Sequence, residues 1–432
     1  LKDVFVHSSP GFDISCFEGI NTDTLLSAGT VSMEFKITDI IKGNYTIERI
    51  GIKDGRLNLF TDTAGLTNYE ITAGNEKDSA EDLFTINLDR INLSDVVAVY
   101  NNRANKLLIK GFAESGHLKS RITGNDIDFS GKAVLLIDRF QLYNFSMAKS
   151  VEAGLDINLR STGKGIIFDN SIIGIDDYNF GLSGSISSEN VLDLYLTGKN
   201  IDISGIKNYV PDKHLNRISA YDPSGTLNIE SKFTGPVTRT SNPRIDINFM
   251  LENGSVTYGT SAVTLKDLSF KGFFTNGSEM LPRTSCLNIS DFEAMLGSAG
   301  FSGSLDLSDF TALRGTLNMK GQLYPAEIRE FFNLSEISTA TGVIDFDMQM
   351  AGAVPRKTKY SISDFFDFNP QADLYFKSFG IGLKDDRILF SDVAGNFLIS
   401  NNAVADNMKF TWKDQQFEVN GKIKGFNDWM AG

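Results

Sequence analysis

Period-two alternation of apolar and polar residues runs through most of this chain. In Thr226–Phe233, Leu227, Ile229 and Phe233 oppose Asn228, Glu230 and Lys232. In Arg244–Glu252, Ile245, Ile247, Phe249 and Leu251 oppose Asp246, Asn248 and Glu252. In Val343–Met350, Ile344, Phe346, Met348 and Met350 oppose Asp345, Asp347 and Gln349. The same alternation sets Leu155, Ile157 and Leu159 apart in Leu155–Arg160, Leu192 and Leu194 in Leu192–Thr197, and Leu317 and Met319 in Leu317–Lys320. Successive side chains of a strand point to opposite faces, so each segment predicts a strand with one apolar and one polar face. Helical spacing is rare. Pro325–Leu334 places Ile328, Phe331 and Phe332 on one helical face behind an N-terminal proline, and Ile203–Val210 repeats the pattern before Pro211 stops it. Ile37–Ile41 reads equally as helix or strand.

These elements recur in order. Phe180–Ile186 resembles Gly300–Leu305; each is followed by a strand ending in glycine (Gly198, Gly321), a short helix, and a Gly-initiated strand (Gly225–Val237, Gly342–Val354). The repeat length is about 120 residues, which argues for stacked β units that cover one another. The predicted organisation is an N-terminal region over 1–179 and repeats over about 180–299 and 300–432. Loops are expected at Gly74–Asp82, Pro211–Ser224 and Ala353–Pro370.

One-sided apolar strands must have that face covered. The predicted helices are too few to cover so many strands. Two arrangements remain: the apolar faces meet each other in a closed sandwich, or a bent sheet forms a trough filled by a non-protein partner. Strands of about six residues would span about 20 Å, the length scale of an acyl chain. The fold class expected is therefore mainly β, with elongated repeated antiparallel units, a bent-sheet trough and a few short helices.

Composition narrows the function. Net charge is −13, so nucleic acid is an unsuitable partner, since phosphate binding needs a basic stripe. Only 3 histidines are present, which removes the commonest general base and metal ligand from most of the chain. His7, His117 and His214 are far apart in polar surroundings. No nucleophile elbow, phosphate loop, dinucleotide fingerprint or zinc-protease motif occurs. Asp126/Asp128, Asp345/Asp347 and Asp385/Asp386 are acidic pairs, and Asp345 and Asp347 fall on the polar side of a strand, where solvated carboxylates belong. Cys16 and Cys286 show no metal spacing and read as buried thiols, their pairing left open. No catalytic residue, metal or cofactor is expected. No stretch reaches the 18 or more apolar residues of a membrane span.

Gly43–Tyr69, with Asp62, Gly65 and Asn68 at a turn after a strand pair, resembles the N-terminal part of the AsmA family. The Gly225–Gly254 strands resemble the C-terminal region that AsmA proteins share with TamB. The resemblance implies a non-enzymatic periplasmic protein of diderm bacteria, serving outer-membrane biogenesis and held to the inner membrane by an apolar helix of about 20 residues upstream of Leu1. It also implies a β trough that binds or transfers phospholipid or another acyl lipid. The apolar alternating residues named above, apart from Leu251 and Met350, are then the candidate lining. The alternative is an assembly factor with a closed β core whose partners are envelope proteins. An enzyme acting on lipid or glycan is the remaining reading.

Overall fold

The computed structural model describes residues 1–17, 22–35, 47–69, 85–104, 106–123, 126–142, 145–146, 150–210, 218–238, 241–354, 366–384 and 389–431. The expected helix-or-strand at Ile37–Ile41, the loop Gly74–Asp82, His214 and the pair Asp385/Asp386 lie outside them, as does most of the loop Ala353–Pro370. The fold is mainly β. The chain forms two compact units, one made of Leu1–Gly198, Tyr209–Lys213 and Phe233–Ser241, the other of Lys199–Asn208, His214–Lys232 and Asn242–Gly432.

The first unit carries β1 (Lys2–His7), β2 (Thr24–Phe35), β3 (Ile47–Thr61), β4 (Thr85–Asn102), β5 (Leu107–Thr123), β6 (Asp126–Leu142), the two-residue β7 (Phe145–Ser146), β8 (Val151–Thr162), β9 (Gly165–Ile175), β10 (Tyr178–Ser187) and β11 (Val191–Asp202). Strands pair with their sequence neighbours, with β8 beside β6. The pairs are antiparallel except β3–β4, which is parallel. A parallel pair needs a crossover of a dozen or more residues, and the stretch between Thr61 and Thr85 is long enough for one.

The second unit runs through β12 (Tyr221–Pro236), β13 (Arg244–Tyr258), β14 (Thr264–Thr275), β15 (Cys286–Leu296), β16 (Ala299–Ser308), β17 (Arg314–Leu323), β18 (Ile337–Ala353), β19 (Gln371–Leu383), β20 (Leu389–Ile399), β21 (Asn402–Trp412) and β22 (Gln415–Lys424). β12 begins at Tyr221, inside the loop expected over Pro211–Ser224. From β13 to β22 each strand pairs antiparallel with the next, and the sheet does not close into a barrel. Helical pieces are short: α1 (Pro325–Phe331) and α2 (Phe426–Ala431), with 3-10 turns at Ile14–Cys16, Ile203–Tyr209 and Pro282–Thr284. The helices expected near Ile203 and Ala326 are thus present, the first as a 3-10 turn. The repeat is present as well: β10, β11, a 3-10 turn, β12 and β13 match β16, β17, α1, β18 and β19 in order.

Strands are much longer than the six residues expected: β4 has 18 and β18 has 17. The reason is a set of β-bulges. Asp267, Asp291, Ser378, Asp392 and Asn407 sit in the left-handed region, each beside a break in register. A bulge adds one unpaired residue, shifts the phase of alternation and bends the strand. Read from sequence, the phase shift looks like a strand end.

Gly342 occupies such a left-handed position at φ +82, and a Cβ there would stand 2.3 Å from the Ser378 carbonyl oxygen. Its repeat counterpart Gly225 has φ +132 and lies against the Gly254 backbone. Gly342→Val is expected to cost about 1–3 kcal/mol from the backbone alone, with the steric clash adding to it. Gly421→Ala, where a Cβ meets nothing within 4 Å, should stay within about 0.5 kcal/mol. Urea unfolding of the two variants checks this.

Candidate functional site

Cross-strand registers determine which residues share a face. In the second unit Ile247 pairs with Phe274, Phe274 with Leu287, and Leu287 with Leu307. One step along, Ile289, Leu305, Leu317 and Met350 are successive partners. Met319 pairs with Met348 and Met348 with Ala372, while Phe346, Leu374 and Phe397 form the next row. Ile344 pairs with Phe376. One face of β13 to β20 is therefore apolar without interruption. At its far side the rings of Phe390, Phe410 and Phe417 follow one another at 5.5 and 5.4 Å, with Trp412 beside Phe417.

The first unit has an apolar face of its own. Leu93, Gly116, Ala133, Leu155, Ile173 and Phe180 are successive partners across six strands. Ile157 lies opposite Gly131, and Phe129, Leu159, Phe168, Gly184 and Leu194 form a further row. Leu192 pairs with Ile186.

The candidate lining residues thus fall out as follows. Leu155, Ile157, Leu159, Leu192 and Leu194 share the apolar face of the first unit. Ile247, Phe249, Leu317, Met319, Ile344, Phe346 and Met348 share that of the second, with Ile245 at even spacing on β13. Leu227 belongs to it too, since it packs on the cluster of Leu251, Leu268 and Ala294. Ile229 and Phe233 sit at even spacings from Leu227 on β12, and Phe233 falls in the first unit. Sequence reading missed Phe274, Leu287, Leu305, Leu374, Phe376, Phe397 and the Phe390–Phe417 run. A period-two count restarted after each bulge residue would have found them.

The faces are covered unevenly. Phe331 and Phe332 of the α1 end pack on Tyr258, and Phe426 of α2 lies edge-on to Phe366 and Phe397. In the first unit Tyr209 meets Tyr178 edge-on at 5.4 Å and donates to Asp176 Oδ2 at 2.6 Å. Burial, then that bond, raises the Tyr209 phenol above its ordinary range. Between these points most of the apolar side chains are half-buried, while Leu251, Phe346 and Met350 of the second unit and Phe17, Phe60 and Val99 of the first are buried.

The opposite faces carry the charge. Lys271 pairs with Asp291 at 2.9 Å, Arg244 with Asp246 at 2.7 Å, and Lys377 with Asp345 in the second unit. Arg160–Asp128 at 2.7 Å and Lys132–Asp156 at 2.9 Å do the same in the first. The Arg244 hydrogen bond holds the Asp246 carboxyl below its usual range. Its stabilisation is therefore present at neutral pH and lost as pH falls through the lowered value. Asp128 and Asp345, one member each of two acidic pairs of the sequence, are accounted for in this way, with Asp345 also accepting from Gln322 at 2.7 Å. Cys16 and Cys286 are free thiols and half-buried rather than buried. Burial raises the Cys16 thiol. His117 lies 3.0 Å from Asn92 Oδ1 on the surface. Among the described residues no group of three His, Cys, Asp or Glu could hold a metal ion, and no helix is long and apolar enough to cross a membrane.

No family model, no curated protein and no solved structure matches this chain.

Proposed function

We propose that this protein binds acyl lipid on the apolar faces of its β units and passes it along them. In this reading it is a non-enzymatic lipid carrier of the AsmA kind. It would stand in the periplasm, anchored to the inner membrane, and supply the outer membrane. The observation that carries the proposal is an unbroken apolar face on which only scattered members, such as Leu251, Phe346 and Met350, are buried while most of its Leu, Ile, Phe and Met side chains stay half-buried. A closed β sandwich buries its large apolar residues completely, because the two inner faces interdigitate. A face built from Phe, Leu, Ile and Met and left half-exposed is an aggregation hazard unless an apolar partner covers it. Each methylene removed from water contributes about 0.8 kcal/mol, so a half-shielded chain of many methylenes is held firmly. The charged opposite faces keep such a protein soluble around its cargo.

Transfer tests the proposal. Donor vesicles of phosphatidylethanolamine and phosphatidylglycerol containing a fluorescent phospholipid are mixed with unlabelled acceptors and catalytic amounts of protein. Transfer should accelerate in proportion to protein. A rate equal to the protein-free control would overturn the carrier reading in favour of a scaffold.

A further inference from the structure

We propose that the first unit holds a second, separate binding site, for the anionic head group of an amphiphile, on the face opposite its apolar rows. The site is a cavity of about 680 Å³ at the end of β3, β4, β5 and β6. Five of its thirteen lining residues are basic (Arg56, Arg103, Lys106, Lys110 and Arg139) and none is acidic. That is the reverse of the chain as a whole, which has 54 acidic and 41 basic side chains. Solubility does not require this arrangement, since it is served by interspersed charge.

Four strands and a turn build the site. Asn58, Val99, Lys110 and Arg139 are successive partners across β3 to β6, and Phe60, Asn101, Leu108 and Gln141 form the next row. Lys110 and Arg139 therefore stand directly opposite each other, an arrangement of like charges that destabilises a sheet unless an anion sits between them. Asp138 engages Lys110 at 2.6 Å. Arg139, Arg103 and Lys106 form no ion pair among the described residues. Arg56 is held in place by its Nε donating to Asn58 Oδ1 at 2.9 Å. Arg103, on the turn between β4 and β5, stands 5.7 Å over the Phe17 ring.

The floor is apolar and buried. Phe17 and Phe60 stack at 4.4 Å, and with Val99 they form a buried cluster that Leu108 and Val97 join. A low-dielectric floor beneath several guanidinium and ammonium groups strengthens their pull on an anion. The next row along the same face is Val97, Phe112 and Leu136, of which Phe112 is 38% and Leu136 49% exposed. A cationic pocket opening onto an exposed apolar strip fits a molecule with a negative head and an apolar tail better than it fits a free phosphate.

Calorimetric titration of the whole protein with dihexanoyl phosphatidylglycerol below its micelle concentration tests this. Binding should be at least tenfold tighter than for inorganic phosphate or dihexanoyl phosphatidylcholine. Arg139→Gln and Lys106→Gln should each weaken it tenfold or more without lowering the melting temperature, because neither side chain has an ion-pair partner to lose. The preference for phosphatidylglycerol over phosphatidylcholine should persist in Ile247→Asp, which alters only the apolar face of the second unit, and this separates the site from the carrier reading. Equal affinity for inorganic phosphate would overturn the amphiphile assignment and leave a phosphate site. Absence of binding, indifference to both substitutions, or loss of that preference in Ile247→Asp would overturn the site itself.

Discussion

Ile247→Asp is expected to remove most bound lipid from the second unit while lowering its melting temperature by only a few degrees. Ile247 lies mid-row on the apolar face, opposite Phe274, and is half-buried. A carboxylate there meets an acyl chain with no partner to offset its desolvation, so the chain is expelled. Without the chain the carboxylate reaches water, and the fold loses only part of one isoleucine's burial, about 1–2 kcal/mol. For a unit of this size each kcal/mol moves the melting temperature by about 2–4 °C. A closed core would behave in the opposite way: an unpaired buried charge costs several kcal/mol and the unit would unfold. Melting temperature and extracted lipid, measured on the same preparation, separate the two.

Asn68→Ala is expected to destabilise the first unit by about 3–5 kcal/mol. Asn68 has no exposed surface. Its Oδ1 accepts from the Phe60 backbone N–H at 2.8 Å, and its Nδ2 donates to the Asn58 carbonyl at 3.0 Å and to Ser8 Oγ at 3.1 Å. Its own N–H donates to the Phe60 carbonyl at 3.0 Å. Alanine keeps only the last of these and strands two buried backbone groups, each worth about 1–3 kcal/mol when left unsatisfied. The loss should appear as a lower urea midpoint at unchanged slope, with Asn68→Asp intermediate because it keeps the acceptor. A change within 1 kcal/mol would show that water replaces the amide.

That asparagine was legible in the sequence as part of the Asp62, Gly65, Asn68 turn. The turn is as expected: Asp62 Oδ1 accepts from the Ala64 and Leu66 N–H groups, and Gly65 takes φ +95. Strand faces were legible wherever alternation ran unbroken, as in Arg244–Leu251 and Val343–Met350. They were lost where an Asp, Asn or Ser in the left-handed region inserted one residue. Asp291 hides the continuity of Ile289 with Phe292, and Asn407 that of Ala405 with Met408. The parallel β3–β4 pair was invisible for another reason: alternation reports a strand's faces and not its partner's direction. The basic cavity of the first unit was out of reach for the same cause, since Arg56, Arg103 and Arg139 meet only through pairings distant in sequence.

The central claim is that the apolar faces are filled by lipid. It is tested most directly by organic extraction of protein purified without detergent, followed by mass spectrometry quantified per chain. At least one acyl lipid per chain is expected, depleted in Ile247→Asp. A folded, monodisperse protein that yields no lipid would contradict it.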